Sequence, residues 1–168
     1  MDLGTRQQLV LMVRALYFCM TEEWEEAGRS YGLSSAQQHL LFLLATADRP
    51  QTPTDISRHG CWHISTVTRL LKPLQARGLL RVYVHPENAK YKQVELTGEG
   101  RAMFGQFAKS IEHTEAFPSD FSMLTEEEAK LFLDLGSMLI RAKKGAPFVE
   151  RLKARVSGLD YTDGEAFS

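Results

Sequence analysis

The segment 63–72 concentrates side chains whose chemistry suits contact with nucleic acid. Hydroxyls hydrogen-bond to phosphate oxygens or base edges, and an arginine can donate two parallel hydrogen bonds to O6 and N7 of a guanine. Apolar residues recur through 67–74 at helical spacing and predict a buried face on the same helix. The polar residues then point away from the core and are Ser65, Thr66, Thr68, Arg69 and Lys72.

Two neighbouring elements add candidates of the same kind. Thr54 lies on a short preceding helix, and His63 lies where the helix that carries these polar residues starts. Lys90 and Lys92 lie at or beside the tip of a predicted β-hairpin, which can follow the DNA backbone or minor groove. The expected DNA-contacting residues are therefore Thr54, His63, Ser65, Thr66, Thr68, Arg69, Lys72, Lys90 and Lys92.

The charge is distributed as a local polyanion site requires, although the whole chain has a formal net charge of −1. Residues 51–96 carry 7 Lys/Arg against 3 Asp/Glu, which is a net charge of +4. Residues 1–50 carry 4 against 6, and residues 97–168 carry 9 against 12, so both flanks are acidic. A basic middle between acidic flanks favours one dedicated face for a polyanion such as DNA.

Helix and turn signals place these residues on a regular series of elements. Helices are predicted over 3–29, over 53–59, from 63 or 64 to 77, and over 97–115. A further helix is predicted to begin after Ser34, which forms a capping box with Gln37. Strands are predicted over 79–84 and 91–96 with a turn at 85–89. Phe117-Pro118 interrupts, and a last amphipathic helix follows a capping box of Thr125 with Glu128. Its apolar residues are Leu131, Phe132, Leu135, Met138 and Leu139.

This order predicts a mainly α fold with a small β-hairpin wing, a winged helix-turn-helix with N- and C-terminal dimerisation helices. The expected units are a dimerisation helix at 1–33, a DNA-binding domain at 34–96, dimerisation helices at 97–145, and a polar tail at 146–168 that is loosely held from 158. The first helix is apolar nearly all round over 9–20, so we expect a partner chain to cover it.

Two stretches resemble the MarR family of transcription regulators. The recognition helix and wing of that family are similar to ISTVTRLLKPLQARGLLRVYV followed by YKQVELTGEG. The turn HGCWHIST and the segment EEWEEAGRSYGLSSAQQHLLFLL resemble its Hpr (ScoC) branch of transition-state regulators of protease and sporulation genes. The resemblance spans about residues 3–142. It implies a homodimer that binds a pseudo-palindromic operator in duplex DNA, most simply as a repressor that occludes polymerase. The two cysteines form neither a CxxC pair nor a secreted disulfide pattern, and no signal segment is indicated, so a reducing cytoplasm is the expected location.

The chain departs from the family pattern at two places. MarR wings usually carry Asp-x-Arg, whose arginine enters the minor groove, and the matching positions here are Asn88, Ala89 and Lys90. Lysine lacks the planar fork of arginine, so phosphate attraction is expected to replace minor-groove reading. Pro73 lies inside the recognition helix, where it removes one backbone hydrogen bond and crowds the carbonyl of Arg69.

Other functions find less support in the sequence. His59, Cys61 and His63 alternate as in some metal sites, but Gly60 lies in a turn and no carboxylate is adjacent, so Cys61-Trp62 is expected to pack under the turn. Cys19 could be a redox sensor, as in some MarR-like proteins, but it lies within an apolar run and is expected to be a buried, inert thiol. Catalytic motifs, a cofactor site and a membrane-spanning segment are not indicated, and the chain is not expected to be an enzyme. A winged-helix protein–protein adaptor remains the alternative.

Four aromatic residues, Tyr17, Phe18, Trp24 and Phe42, could line a pocket for a small-molecule effector, although core packing is the simpler role for most of them.

Overall fold

The computed structural model describes residues 1–85, 88–112, 121 and 123–153. Over these residues the chain forms seven helices and one antiparallel hairpin. The elements are α1 Leu3–Arg29, α2 Ser35–Ala45, α3 Pro53–His59, α4 Ile64–Ala76, β1 Leu80–His85, β2 Asn88–Leu96, α5 Gly98–Glu112, α6 Glu126–Lys144 and α7 Ala146–Leu152. The predicted continuation of α5 to 115, the break at Phe117-Pro118 and the tail at 158–168 lie outside the described residues.

Side-chain caps determine where several helices begin. Ser34 Oγ accepts from the backbone N of Gln37 at 3.3 Å, and Gln37 Oε1 accepts from the backbone N of Ser34 at 2.9 Å. Thr125 and Glu128 form the same reciprocal pair at the start of α6. Such a cap contributes about 1 kcal/mol to helix stability, because it satisfies backbone donors that have no partner within the helix. Both capping boxes are as predicted from the sequence.

The core lies within the winged unit, which comprises α2, α3, α4 and the β1–β2 hairpin, and α5 packs against this unit with Phe104 and Phe107. Its centre is made of side chains that are 0–4% exposed. They are Leu33, Leu40, Leu41, Leu44, Ala45, Ile56, Val67, Leu74, Leu79, Leu80, Val94, Leu96, Phe104 and Phe107. The wing is tied to this core at its base, where Gln51 and Val94 exchange two backbone hydrogen bonds of 2.9 and 2.8 Å. The loop between α2 and α3 therefore holds the wing in place.

The helices outside the winged unit leave large apolar faces uncovered. Leu9, Val10, Leu11, Met12 and Val13 of α1 are each 52–63% exposed. Every residue of α6 is at least partly exposed, and the five residues of its predicted apolar stripe are 51–64% exposed. Contiguous apolar surface of this extent is unusual on a monomer and is typical of a protein–protein interface.

The start of the expected polar tail is a helix, which corrects the prediction for residues 146–152. α7 spans Ala146–Leu152 directly after α6, and Gly145 between them has φ +85°, a conformation that glycine adopts without strain. Phe148 and Val149 are buried at 8% and 0% exposure. The large apolar residues Phe148, Val149 and Leu152 within seven positions make too short a pattern to indicate a helix, and burial against other elements decides the conformation here.

Both cysteines differ from their predicted surroundings. The prediction of a buried Cys19 is wrong, because this residue is exposed on α1 together with its apolar neighbours. The prediction that Cys61 packs under the turn after α3 is also wrong, since it is exposed and has φ +55°. Its neighbour Trp62 takes the packing role and lies half-buried against the core.

Candidate nucleic-acid interface

The turn between α3 and α4 is held by a reciprocal pair of hydrogen bonds. The backbone N of Trp62 donates to the carbonyl of Ser57 at 3.0 Å, and Ser57 Oγ donates to the carbonyl of Trp62 at 2.7 Å. Gly60 lies against the Trp62 ring so closely that a Cβ there would be 2.4 Å from Cε3. The angle between α3 and the recognition helix α4 therefore depends on a ring packed over a glycine.

His63 caps α4 and organises its first turn. Its Nδ1 accepts from the backbone N of Ser65 at 3.3 Å and lies 2.8 Å from Ser65 Oγ. Both residues remain exposed. The sequence predicts both as DNA contacts; the structure gives them a shared structural role at the end of the helix that would enter a groove.

The recognition helix has the two faces that its sequence predicts. Val67, Leu71 and Leu74 are buried, whereas Thr68, Arg69 and Lys72 are exposed and Thr66 is half-buried. Arg69 Nη2 donates a long hydrogen bond of 3.5 Å to Thr66 Oγ1, and Thr68 Oγ1 donates to the carbonyl of Ile64 at 3.1 Å. Thr54 is exposed on α3. Pro73 lies inside the single helix Ile64–Ala76, beyond these polar residues.

The wing is longer than predicted. β2 begins at Asn88, within the predicted turn, and its pairing places Lys92 opposite Val84, so Lys92 lies on the paired part of the strand. Asn88 Oδ1 accepts from the backbone N of Lys90 at 3.3 Å, which holds the strand near its start. Lys90 and Lys92 point to one face of the strand, and Tyr91, which is 56% exposed, points to the other.

Three other arginines near this surface have protein partners. Arg77 donates to the carbonyls of Gly32 and Tyr31 at 2.8 and 2.9 Å, and it thereby anchors the end of α4 to the loop after α1. Arg81 pairs with Glu95 across the hairpin at 2.5 Å, and Arg58 lies 3.8 Å from Asp55. A role as salt-bridged or structural side chains therefore fits these arginines better than phosphate contact.

A cavity of 220 Å³ lies between α1 and the winged unit. Tyr17 and Trp24 of α1 line one side, and His39 of α2 with Trp62 of the turn lines the other. The His39 and Trp62 rings meet edge to face at 5.1 Å, and burial lowers the pKa of His39 below its ordinary value. Phe18 and Phe42, the other members of the predicted aromatic stripe, do not line this cavity. Its walls therefore join the apolar helix α1 to the turn that positions α4.

Comparison with known proteins shows what the central part of the chain is similar to. Residues 33–92 match the model of the MarR family. The HTH-type transcriptional regulator Hpr of Shouchella clausii is 29% identical over 108 residues, which are 64% of this chain and 55% of Hpr. The DNA-binding transcriptional repressor ScoC of Bacillus subtilis is 24% identical over 108 residues, 64% of this chain and 53% of ScoC. The chain thus spans about half the length of these curated relatives, and its resemblance to the MarR family and the Hpr branch is confirmed.

Solved structures with the same architecture cover most of the chain. A MarR mutant from E. coli complexed with operator DNA has a TM-score of 0.70 at 18% identity, over 83% of this chain and 99% of that one. The MepR–DNA complex of S. aureus has a TM-score of 0.67 at 23% identity, over 77% and 95%. BldR from Sulfolobus solfataricus has a TM-score of 0.71 at 20% identity, over 84% and 99%. The winged helix-turn-helix fold is therefore confirmed.

Proposed function

We propose that this chain is a transcription regulator of the MarR type that binds duplex DNA as a homodimer and represses by occupying a pseudo-palindromic operator. The observation that carries the proposal is the exposed polar face of α4, where Arg69 and Lys72 project from a helix whose opposite face is buried. A helix of this kind, followed by a hairpin wing, enters the major groove with its first turns against base edges. The segment 51–96 that contains both elements has a net charge of +4.

In this proposal the recognition helix reads bases and the wing attracts phosphates. Arg69 supplies the planar fork that recognises guanine, and Lys72, one turn later, supplies a point charge for the backbone. Lys90 and Lys92 add charge from one face of the wing. Thr54, Ser65, Thr66, Thr68 and His63 complete the contact surface that we assign to this function.

We assign dimerisation to the segments 1–33 and 97–145 and DNA binding to 34–96. The uncovered apolar faces of α1 and α6 support this division, because apolar side chains that are more than half exposed gain stability when a second copy covers them. A two-fold dimer presents two identical recognition helices, and this is why the operator is expected to be pseudo-palindromic.

We further propose that the cavity between α1 and the winged unit accepts a small-molecule effector. Its lining combines the rings of Tyr17, Trp24 and Trp62 with a histidine that burial keeps neutral to lower pH than usual. A flat, uncharged aromatic molecule suits these walls, since Lys and Arg side chains are absent from the lining residues. Its binding would act on the Trp62–Gly60 contact that sets the angle of α4.

DNA binding and its specificity can be tested together by capture of genomic fragments on the purified protein, followed by footprinting of the recovered sites. We expect a protected site with two related half-sites, and an affinity that falls steeply with salt through release of counterions. Sedimentation equilibrium at low micromolar concentration should give twice the chain mass of 19.0 kDa.

The competing function is a winged-helix adaptor that binds a protein and not DNA. A protein with no affinity for any genomic fragment, even at about 50 mM salt where backbone contacts are strongest, would favour the adaptor. The described helices include none that is both long and apolar enough to cross a bilayer. We propose a cytoplasmic location and a role in binding instead of catalysis, since both described cysteines are free thiols and the relatives in the comparison are transcription regulators.

A further inference from the structure

Helix α7 contacts α6 on one side and the winged unit on the other. Val149 and Leu152 of α7 lie along a groove shared with Phe132, Leu133 and Ile140 of α6. On the opposite side, Arg151 reaches residues more than 100 positions earlier in the chain, at the end of α2. α7 therefore connects α6 to the winged unit by non-covalent contacts, in addition to the chain connections through α1 and α5.

Arg151 makes this connection through its guanidinium fork. Nη1 donates to the carbonyl of Thr46 at 2.5 Å, and Nη2 donates to the carbonyl of Leu43 at 2.6 Å. The last carbonyls of a helix lack partners within the helix and carry its negative end, so a cation there gains both hydrogen bonds and the helix dipole. Two donors at a fixed separation also hold α2 at a defined angle to α7, which a single ammonium group cannot do.

The contact extends to the helix that precedes the recognition helix. The ring of Phe148 lies 6.2 Å from the ring of His59, the last residue of α3. Gly60 follows, and the turn then leads into α4. α7 thus touches the C-terminal ends of both helices, α2 and α3, that support the recognition helix.

We propose that Arg151 is a positioning residue that fixes, through α7, the orientation of the recognition helix relative to α6. This inference rests on the proposed function, in which α6 belongs to the dimer platform and α4 enters DNA. In such a dimer, the orientation of each winged unit relative to the platform sets the separation between the two recognition helices. Arg151 then determines which spacing between operator half-sites the dimer accepts, although it touches no DNA itself.

Half-site spacing is a sensitive measure of this orientation. One inserted base pair moves a half-site by about 3.4 Å along the helix axis and turns it by about 35°, because one turn of about 34–36 Å contains 10–10.5 base pairs. A dimer whose winged units are held firmly loses contacts when the spacing is wrong. A dimer whose winged units rotate about the platform follows the displaced half-site at little cost.

The test compares wild type with Arg151→Met, Arg151→Lys and the control Lys153→Met. Methionine keeps much of the length of the side chain without its donors. The control removes the same charge just after α7, because the Lys153 side chain is 60% exposed and its Nζ lies 3.9 Å from Glu150 Oε1. Fluorescence anisotropy is measured on the operator recovered for wild type and on versions with one base pair inserted or deleted between half-sites.

We expect wild type and Lys153→Met to lose about tenfold or more in affinity when the spacing changes, which is about the cost of one mismatched base pair. For Arg151→Met we expect a loss of less than about threefold, whereas its discrimination against a mutated half-site base stays at the wild-type value. Arg151→Lys should fall between the two, because its ammonium reaches one carbonyl at a time.

Thermal unfolding and pulsed electron–electron distance measurements separate positioning from stability. For the distance measurements, spin labels are placed at Gln75→Cys, an exposed position on α4, in a Cys19→Ala, Cys61→Ala background. A broader distribution of label distances in folded Arg151→Met supports the proposal. An unchanged spacing preference and an unchanged distance distribution, in a variant that only melts at lower temperature, would overturn it and leave DNA binding intact. Failure of wild type itself to bind any operator would instead overturn the proposed function.

Discussion

Replacement of Arg69 gives the most direct test of base reading by α4. Arg69 is exposed, and its hydrogen bond to Thr66 Oγ1 has a length of 3.5 Å, which is at the limit of a hydrogen bond. The folded chain therefore loses little on truncation, within about 0.5 kcal/mol as for other exposed positions. Any large effect of Arg69→Ala must come from the complex with DNA.

The expected loss follows from two hydrogen bonds to one guanine in each half-site. A bidentate contact of this kind discriminates by about 1–3 kcal/mol. A two-fold dimer has two such contacts, so the operator complex should lose about 2–6 kcal/mol, or about 30-fold to 20,000-fold in affinity. Random DNA, which is held by backbone charge, should lose only what one positive charge per protomer contributes.

Two variants distinguish base reading from simple charge. Arg69→Lys keeps the charge and removes the fork, so it should bind random DNA as wild type does and lose most of its preference for the operator. Lys72→Ala, one turn along the same exposed face, should weaken operator and random DNA by the same factor. Anisotropy at matched salt measures both ratios, and circular dichroism confirms the fold. If Arg69→Ala lowers affinity for operator and random DNA equally, the base-reading assignment is refuted.

Three further perturbations address the wing, the dimer and His39 in the wall of the cavity. Lys90→Ala should reduce the slope of log K against log salt by about one unit per protomer and leave operator preference unchanged; loss of preference with intact random-DNA affinity would mean that the wing reads groove shape or sequence. Leu135 is 51% exposed in the single chain, and burial of this exposed surface by a second copy would contribute about 1 kcal/mol per copy. Leu135→Glu would instead bury a charge there, so the variant should sediment as a monomer where wild type is a dimer. An unchanged dimer would exclude this face of α6. Burial lowers the pKa of His39 below 6.5, so the unfolded chain takes up the proton at a higher pH than the folded chain does. The contribution of neutral His39 to the free energy of unfolding is therefore fully present above about pH 6.5, and it should be lost as the pH falls towards the folded pKa. His39→Gln should flatten this part of the profile in urea unfolding measured at several pH values.

Local interactions made much of the fold predictable. The bounds of α1 and the capping boxes at Ser34 and Thr125 depend on residues within four positions of each other, and sequence patterns record such interactions directly. The two faces of α4 follow from helical periodicity alone. For the same reason the sequence suffices to assign Arg69 and Lys72 to the exposed face.

Long-range contacts account for what the sequence did not indicate. The bridge between Gln51 and Val94 joins residues 43 positions apart, and Arg151 reaches Leu43 across 108. Neither contact leaves a periodic pattern. The exposure of Cys19 has the same origin, because the apolar run of α1 predicts burial but does not tell whether the same chain or a second copy supplies the cover.

The hydrogen bonds already made on α4 rank its side chains as readers of DNA. The hydroxyl of Thr68 donates to the carbonyl of Ile64, so outward it offers only lone pairs, which can accept from an adenine or cytosine amino group but cannot donate to phosphate unless that 3.1 Å bond breaks. Ser65 is held against the cap formed by His63, and freeing it would release the first turn of the helix. Arg69 gives up only its 3.5 Å hydrogen bond to Thr66 Oγ1, and Lys72 has no internal bond to give up among the described residues. Sequence preference is therefore expected to depend mainly on Arg69, with the hydroxyls adjusting it, and this order makes the comparison of Arg69→Lys with Lys72→Ala the decisive one.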